Sequence, residues 1–224
     1  MKKLASVFPI LLAAMTTSGD AAPDARETSP LFNWLEKQKS LETLRTDFTQ
    51  TRKLRAVKKP LVSPGKLYYR ASTGSFRWQL GEPVKTIALR DGGDVLLISP
   101  PRKRAQRRGA DADKGKRWSG ASALFEAGFP RGRDDFEKKF RILSVQQVAG
   151  GHLAILELRE REARKYVIQI RLTIDRDLRS LRAFEAFFKD GSSIRNDFTN
   201  AVLNRPLPKD AFAFDLTGYA VKKS

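Results

Sequence analysis

The sequence predicts an α+β domain built on one long antiparallel sheet, with a few short helices available to cover one face. Short runs of alternating apolar and polar residues, typical of half-buried strands, follow one another through most of the chain. Many of the turns between them are too short for the crossover that parallel strands require. Amphipathic helical patterns occur only near residues 30–38 and between residues 119 and 140.

The N-terminal residues predict export. A basic start at residues 1–3 precedes an apolar run at 4–15 and then small residues. This order is typical of a secretory signal peptide, and the apolar run is shorter than the ~20 residues that span a bilayer. We expect residues 1–21 to be a cleaved signal peptide and residues 22–224 to form a single domain.

The N-terminal half is expected to begin with a helix and to continue as strands. Ser29 and Pro30 match an N-cap and a first helical residue, which predicts a helix over about 30–38. Residues 55–64 carry two prolines and several charges, which indicates a loop. The strands expected in this half span residues 44–49, 65–70, 76–80, 84–89 and 95–99.

The C-terminal half repeats this style after a basic insertion. Residues 100–118 are rich in Lys and Arg, which predicts a basic strand and an exposed loop. Residues 119–129 and 133–140 are expected to form short amphipathic helices. The strands expected in this half span residues 141–147, 152–158, 166–174, 181–188 and 194–203. Their short connections predict an antiparallel meander of about ten strands, whose concave face needs covering.

One apolar stripe in this sheet raises a question of function. Phe76, Trp78 and Leu80 alternate with polar residues, so they project from the same face of a strand. Such a stripe is typical of an ordinary sheet core. It is equally compatible with the wall of an apolar binding cavity.

The charge of the chain limits its partners. Lys and Arg number 43 against 25 Asp and Glu. A basic surface of this kind suits nucleic acid, anionic lipid or acidic protein. Export argues against nucleic acid, so anionic lipid surfaces and acidic proteins are the expected partners. A solvated surface that aids solubility is the plain alternative.

No pattern of catalytic residues is present in the sequence. The absence of Cys excludes disulfides, thiol catalysis and thiolate metal sites. The one histidine, His152, lies beside a Gly-Gly turn without a nucleophile motif, which favours a structural role. The segment 111–115 departs from the calcium-loop pattern. We therefore expect no catalytic residue, no metal site and no cofactor.

A series of short motifs occurs in a fixed order along the chain. They are Phe48-Thr49-Gln50, Gly65-Lys66-Leu67, Arg70 before Phe76-Arg77-Trp78, Pro83, Asp91-Gly92, and Phe212-Ala213-Phe214 near the C-terminus. The order resembles that of the LolA family, the periplasmic outer-membrane lipoprotein carriers. The family's Pro after the arginine is replaced here by Ala71.

The resemblance implies an incomplete antiparallel barrel of about 10–11 strands, with short helices forming a lid over an apolar cavity. It implies a periplasmic chaperone that binds the acyl chains of lipoproteins released from the inner membrane and delivers them to the outer membrane. The implied partners are an inner-membrane ABC lipoprotein-releasing complex and an outer-membrane lipoprotein acceptor. We expect a monomer. A carrier of another lipid or glycolipid, or a periplasmic lipid-sensing domain, remains an alternative on the same fold.

The resemblance also implies roles for particular residues. The family's lid-holding arginine matches Arg70, which makes Arg70 the expected lid latch. The expected cavity residues are Phe48, Tyr69, Phe76, Trp78, Leu80 and Leu96, and the expected lid residues are Leu124, Phe125 and Phe129. A lid held by a few polar contacts would open at a cost of a few kcal/mol, within reach of ligand binding.

Overall fold

The computed structural model describes residues 24–109, 130 and 132–223. Within them, twelve strands form one open sheet accompanied by three α-helices and a short 3-10 helix at Pro100–Arg102. The α-helices are α1 (Ala25–Gln38), α2 (Arg133–Lys139) and α3 (Arg161–Arg164). The strands are β1 (Thr43–Lys53), β2 (Leu61–Arg70), β3 (Ser75–Leu80), β4 (Thr86–Arg90), β5 (Val95–Ser99), β6 (Arg104–Arg108), β7 (Phe140–Val148), β8 (Gly151–Leu158), β9 (Val167–Asp175), β10 (Leu181–Phe188), β11 (Ser193–Leu203) and β12 (Ala220–Lys223). This architecture confirms the predicted α+β class and the incomplete barrel with short helices.

The sheet joins two meanders through the pairing of β1 with β11. Its strand order is β12-β6-β5-β4-β3-β2-β1-β11-β10-β9-β8-β7, so β12 and β7 are the edges. The prediction of a purely antiparallel sheet is wrong at one edge, where β12 pairs with β6 in parallel. The long segment between β11 and β12 supplies the crossover that a parallel pair needs.

The two faces of the sheet are covered by different parts of the chain. On one side, here called the helix face, α1 and α2 pack on the larger apolar cluster. On the other side, here called the tail face, residues 207–219 cover strands of the first meander and form a second apolar cluster. The tail therefore closes a face that the sequence pattern left without a cover.

Helix α1 begins earlier than predicted. Asp24, not Ser29, is its N-cap, and the Asp24 side chain accepts a hydrogen bond from the backbone N–H of Arg26 at 3.3 Å. Pro30 lies inside the helix, where it removes one backbone hydrogen bond. The prediction from Ser29 and Pro30 was wrong because Asp24, further upstream, caps the helix instead.

Strand β2 also begins earlier than predicted, at Leu61 within the expected loop. Strand β3 ends at Leu80, opposite Gly65, so residues 61–64 pair with β1 alone. Proline has no N–H to donate to a neighbouring strand. Pro64 is tolerated at this position because the edge of β2 that would need this N–H is not paired with β3 there. Its carbonyl accepts a hydrogen bond from the backbone N–H of Gly81 at 2.7 Å.

The remaining elements differ from the predictions in smaller ways. Helix α2 and the basic strand β6 were expected, whereas α3 and β12 were not. Strand β4 starts at Thr86 rather than at Val84. The helix expected over 119–129, with Leu124, Phe125 and Phe129, lies outside the described residues. Among the helices that the structure does describe, none has the length and apolar character needed to cross a membrane.

Candidate functional site

An aromatic cluster lies at the centre of the helix face. The ring centroids of Phe48 on β1 and Trp78 on β3 are 3.9 Å apart. Phe198 on β11 lies 6.0 Å from the first ring and 6.3 Å from the second. The cluster therefore spans the junction of the two meanders, and strands distant in sequence meet there.

Gly65 on β2 makes room for this cluster. It pairs with Phe48 across the sheet, and a Cβ added at this position would clash with the Phe48 ring. The same Cβ would lie 2.7 Å from the backbone oxygen of Gln79. Three of the sequence motifs, which begin at Phe48, Gly65 and Phe76, therefore meet in space. The Phe48 ring lies over Gly65 and packs against Trp78.

Five of the six expected cavity residues share the helix face. Phe48, Phe76 and Trp78 are 2%, 5% and 6% exposed, while Tyr69 and Leu80 are partly buried against them. The register explains this, because Tyr69 lies opposite Phe76.

The sixth residue, Leu96, lies on the tail face, so the expectation that it lines the same cavity is wrong. Ala88 lies opposite both Trp78 and Leu97, which puts Leu97 on the helix face and its neighbour Leu96 on the other. Leu96 packs in the second cluster with Phe212 of the tail.

Arg70 likewise lies on the tail face, away from α1 and α2, so it holds neither of these helices. The lid residues Leu124, Phe125 and Phe129 lie outside the described residues, so the expected latch role of Arg70 stays a prediction. Its guanidinium carbon lies 4.9 Å from the centre of the Phe212 ring. Arg77, on the next strand, lies 6.0 Å from the Phe214 ring and donates a hydrogen bond to the carbonyl of Ala213 at 2.9 Å. Within the described part of the chain, these two arginines hold the C-terminal segment.

Another arginine lies on the helix face beside the expected cavity residues. Arg90 has its guanidinium carbon 5.2 Å from the centre of the Phe76 ring. It donates two hydrogen bonds to the carbonyl of Gly74, at 2.8 and 2.6 Å. No sequence signal marks this position, since Arg90 ends a strand like many other arginines in the chain.

A polar pair interrupts the apolar helix face near the aromatic cluster. The side-chain amide of Gln50 donates a hydrogen bond to the side-chain oxygen of Asn196 at 3.0 Å, and Asn196 is 2% exposed. A buried amide pair of this kind fixes the register of two strands, because a shift would leave its polar atoms without partners. This explains the Gln of the first motif as a structural residue.

Helix α1 covers part of the helix face. Its inward residues Leu31, Trp34 and Leu35 are each 0% exposed. The indole N–H of Trp34 is buried without a hydrogen-bond partner among the described residues. Leaving such a donor unpaired costs about 1–3 kcal/mol, so the Trp34 N–H is an unused donor beneath α1.

A narrow cleft opens beside the last turn of α1. Trp34 and Leu41 line one side, Leu181 lines the turn side, and Leu44 and Phe198 line the sheet side. Its volume is about 20 Å³, room for about one water molecule. Binding sites for organic ligands usually hold about 300–1,000 Å³. The structure is therefore closed over its apolar face at this point.

Polar contacts tie α1 down at the rim of this cleft. The ammonium of Lys37 donates a hydrogen bond to the carbonyl of Asp177 at 2.7 Å. The side-chain amide of Gln38 donates to the carbonyl of Arg179 at 3.3 Å. The sequence did not reveal these ties, because their acceptors are backbone carbonyls in the β9–β10 turn.

Further contacts hold α1 to α2 and fix the link between α1 and β1. The Arg133 guanidinium of α2 lies 3.7 Å from the centre of the Phe32 ring on α1. Behind α1, the Asn204 side chain donates to the carbonyl of Ser40 at 2.9 Å and accepts from the N–H of Glu42 at 2.8 Å. Asn204 thus anchors the short link between α1 and β1, where a moving helix would turn.

Acidic and histidine side chains are dispersed over the described part of the chain. Within residues 24–109 and 132–223, no three His, Asp or Glu side chains are grouped to hold a metal ion. The helix face is an apolar surface covered by α1, and hydrogen bonds from Lys37 and Gln38 hold this helix in place.

Comparisons with known proteins address the same question. The sequence matches the family model described as "Outer membrane lipoprotein carrier protein LolA" over residues 39–215. No curated protein matches it.

Several solved structures match the chain at low sequence identity. An uncharacterized conserved protein from Thermus thermophilus is 9% identical, with a TM-score of 0.54, over 88% of this chain and 98% of that one. A putative outer membrane lipoprotein-sorting protein domain from Vibrio parahaemolyticus is 11% identical, with a TM-score of 0.47, over 84% and 96%. The lipoprotein LppX from Mycobacterium tuberculosis is 10% identical, with a TM-score of 0.44, over 83% and 98%.

At such identities, the resemblance to the Thermus structure shows the fold alone. The family model, by contrast, spans most of the sequence, from the link after α1 to the segment that covers the tail face. The chain belongs to the LolA family of outer membrane lipoprotein carrier proteins.

Proposed function

We propose that this chain is a periplasmic carrier that takes the acyl chains of lipoproteins released from the inner membrane and delivers them to the outer membrane. One observation carries the proposal: an aromatic cluster of Phe48, Trp78 and Phe198 lies on a sheet face that helix α1 covers. Family membership supports a lipid-binding role, and the absence of Cys favours a carrier over a lipid-anchored acceptor.

The energetics of α1 are compatible with opening by a ligand. Exposing Leu31, Trp34 and Leu35 costs about 1.5–3 kcal/mol each, or about 5–9 kcal/mol together. Burying an acyl chain of about sixteen carbons gains about 0.8 kcal/mol per CH₂, or about 12 kcal/mol. The opening cost exceeds the few kcal/mol expected from polar contacts alone, because three large side chains are fully buried. A long acyl chain still outweighs it.

The unpaired N–H of Trp34 suits the polar end of such a ligand. Lipoprotein acyl chains are attached through ester and amide carbonyls, which are good acceptors for an indole N–H. Trp34 also lines the cleft beside the last turn of α1. We therefore assign the N–H as the donor to a carbonyl at the head of one acyl chain.

Native mass spectrometry of the exported protein, produced together with the inner-membrane releasing complex and a lipoprotein, tests the proposal. A bound triacylated lipoprotein is the expected result. A bound free lipid or glycolipid instead would replace the lipoprotein with another cargo on the same fold. Protein recovered without lipid of either kind would contradict the carrier role.

The same preparation tests the location. The exported chain should lack residues 1–21, and it should pass its cargo to an outer-membrane acceptor when the two are mixed. A chain that retains Met1 in the cytoplasm would overturn the periplasmic assignment.

A further inference from the structure

The large apolar side chains that are exposed in the described residues are not scattered over the molecule. Their exposed fractions range from 42% to 63%. They are Val57, Leu61, Val62, Tyr166, Ile168 and Val221. All of them lie in loops or strand ends at one end of the sheet.

The strand register fixes this shared end. Lys53 at the end of β1 lies opposite Ser193 at the start of β11, and Val167 lies opposite Phe188. Arg52 lies opposite Leu61, so the β1–β2 loop projects from the same end as the loops before β9 and β11. At the sheet edge, β12 enters from this end as well, because it runs parallel to β6.

Two of these loops are neighbours, because they continue β1 and β11 beyond the pair Lys53 and Ser193. The hydroxyl and amide of Ser192 lower the pKa of Asp190, and the charge of Arg55 adds to this effect. The β1–β2 loop and the β10–β11 turn therefore lie close enough for their charges to interact.

Basic residues are concentrated at the same end. The connections there, at residues 54–60, 81–85, 100–103, 159–166 and 189–192, contain eleven Lys or Arg and four Asp or Glu. The described connections at the other end, at 39–42, 71–74, 91–94, 149–150, 176–180 and 204–206, contain four of each sign. We call the first group, with the exposed apolar residues beside it, the basic end.

The β1–β2 hairpin extends past β3 at the basic end. Its residues 61–64 continue past the last residue of β3, and Leu61 and Val62 are 48% and 63% exposed there. Lys58 and Lys59 precede them in the loop and are also exposed. An apolar tip beside lysines matches the pattern of segments that rest in the head-group region of a bilayer.

We propose that the basic end docks this protein on the surface of an anionic bilayer. Lys and Arg would contact lipid phosphates, while the exposed aliphatic side chains enter the head-group boundary. The apolar residues lie on separate loops and strand ends, divided by charged residues. A fluid surface accommodates such spacing, whereas the core of a protein–protein interface is packed as densely as a protein interior.

Docking in this way leaves the cleft available. The cleft beside α1 is bordered by Leu44, Leu203 and Leu181, which lie at the opposite end of the sheet. A docked molecule would therefore turn the cleft away from the lipid, toward the extracytoplasmic parts of membrane proteins. This inference goes beyond the carrier role and does not depend on which cargo the helix face takes.

Vesicle sedimentation tests the proposal with the exported protein, whose N-terminus is determined beforehand. The probes are vesicles of phosphatidylcholine alone and vesicles with about one third phosphatidylglycerol. We expect binding to the anionic vesicles only, weakened by salt. Lys58→Ser with Lys59→Ser should lower the partition coefficient about 25-fold, since each lysine near the surface contributes a factor of about five.

The matched control removes the same two charges at the other end, with Arg176→Ser and Arg205→Ser, and should change binding less than about threefold. Leu61→Ser with Val62→Ser should weaken binding at unchanged net charge.

Equal losses for the two charge pairs, or no binding to anionic vesicles at all, would overturn the proposal. Loss of cargo transfer in the lysine variant without any vesicle binding would assign the basic end to an acidic protein instead. Uptake of a fluorescent acyl probe, measured in each variant, separates failure of docking from failure of the carrier function.

Discussion

The ring of Phe48 lies directly over the backbone of Gly65 and against the ring of Trp78, with ring centroids 3.9 Å apart. This contact joins three strands at the centre of the helix face. It also joins three motifs that are separate in the sequence, since Phe48, Gly65 and Trp78 each take part in the same contact.

Gly65→Ala should destabilise the protein by about 1–3 kcal/mol, because the new methyl group occupies the position of the Phe48 ring. Urea unfolding measures the change. Combining it with Phe48→Leu should cost less than the sum of the two single changes, since the smaller side chain leaves room. Gly93→Ala is the control, because a Cβ there meets nothing within 4 Å. Additive costs would show that the ring and the glycine are not coupled.

Arg70→Leu should loosen the C-terminal segment and leave acyl-probe binding unchanged. The guanidinium packs on Phe212, on the face opposite α1, and such a contact contributes about 0.5–1 kcal/mol. Hydrogen exchange should become faster in residues 207–219. Arg70→Lys, which keeps the charge but loses the planar group, should give a partial effect. Slower acyl release without a change in residues 207–219 would support Arg70 as the lid latch.

Alternation and short turns were sufficient to predict the strands from the sequence, because each strand has one buried face over most of its length. The face on which an arginine lies is harder to predict. Arg70 and Arg90 both end strands, and only the register places one over Phe212 and the other beside Phe76.

The sequence predicted the parts of the candidate site that follow from the alternation of apolar and polar residues. It did not predict the contacts made to backbone groups far away in the sequence. Phe48 and Trp78 were found because apolar stripes mark a face. Leu96 was misplaced because β5 is apolar on both sides, which hides the alternation. The ties from Lys37 and Gln38 end on backbone carbonyls, and a carbonyl leaves no trace in a sequence.

Lys37→Met should make α1 easier to open. The change removes the hydrogen bond to the carbonyl of Asp177 and keeps the apolar stem. A bond of this kind contributes about 0.5–1.5 kcal/mol, so the association rate of a fluorescent acyl probe should rise between about two- and tenfold. Lys39→Met is the control for the loss of one positive charge, because the ammonium of Lys39, the C-cap residue of α1, pairs with Glu36 of that helix and not with the β9–β10 turn. A rate that is equal in both variants would show that α1 is not the part that opens.

Trp34→Phe should separate the role of the indole N–H from that of the ring. The smaller aromatic side chain preserves most of the packing, so stability should change by less than about 1.5 kcal/mol, against about 3–5 kcal/mol for a change to Ala. Because the buried N–H has no partner in the closed structure, its loss leaves no other group unpaired. An ether probe lacks the carbonyl that an ester probe offers to the indole N–H. If Trp34 donates to this carbonyl, Trp34→Phe should bind the ester probe about as weakly as the wild type binds the matching ether. Equal weakening of ester and ether would mean that Trp34 contributes packing alone, and the assigned donor would be wrong.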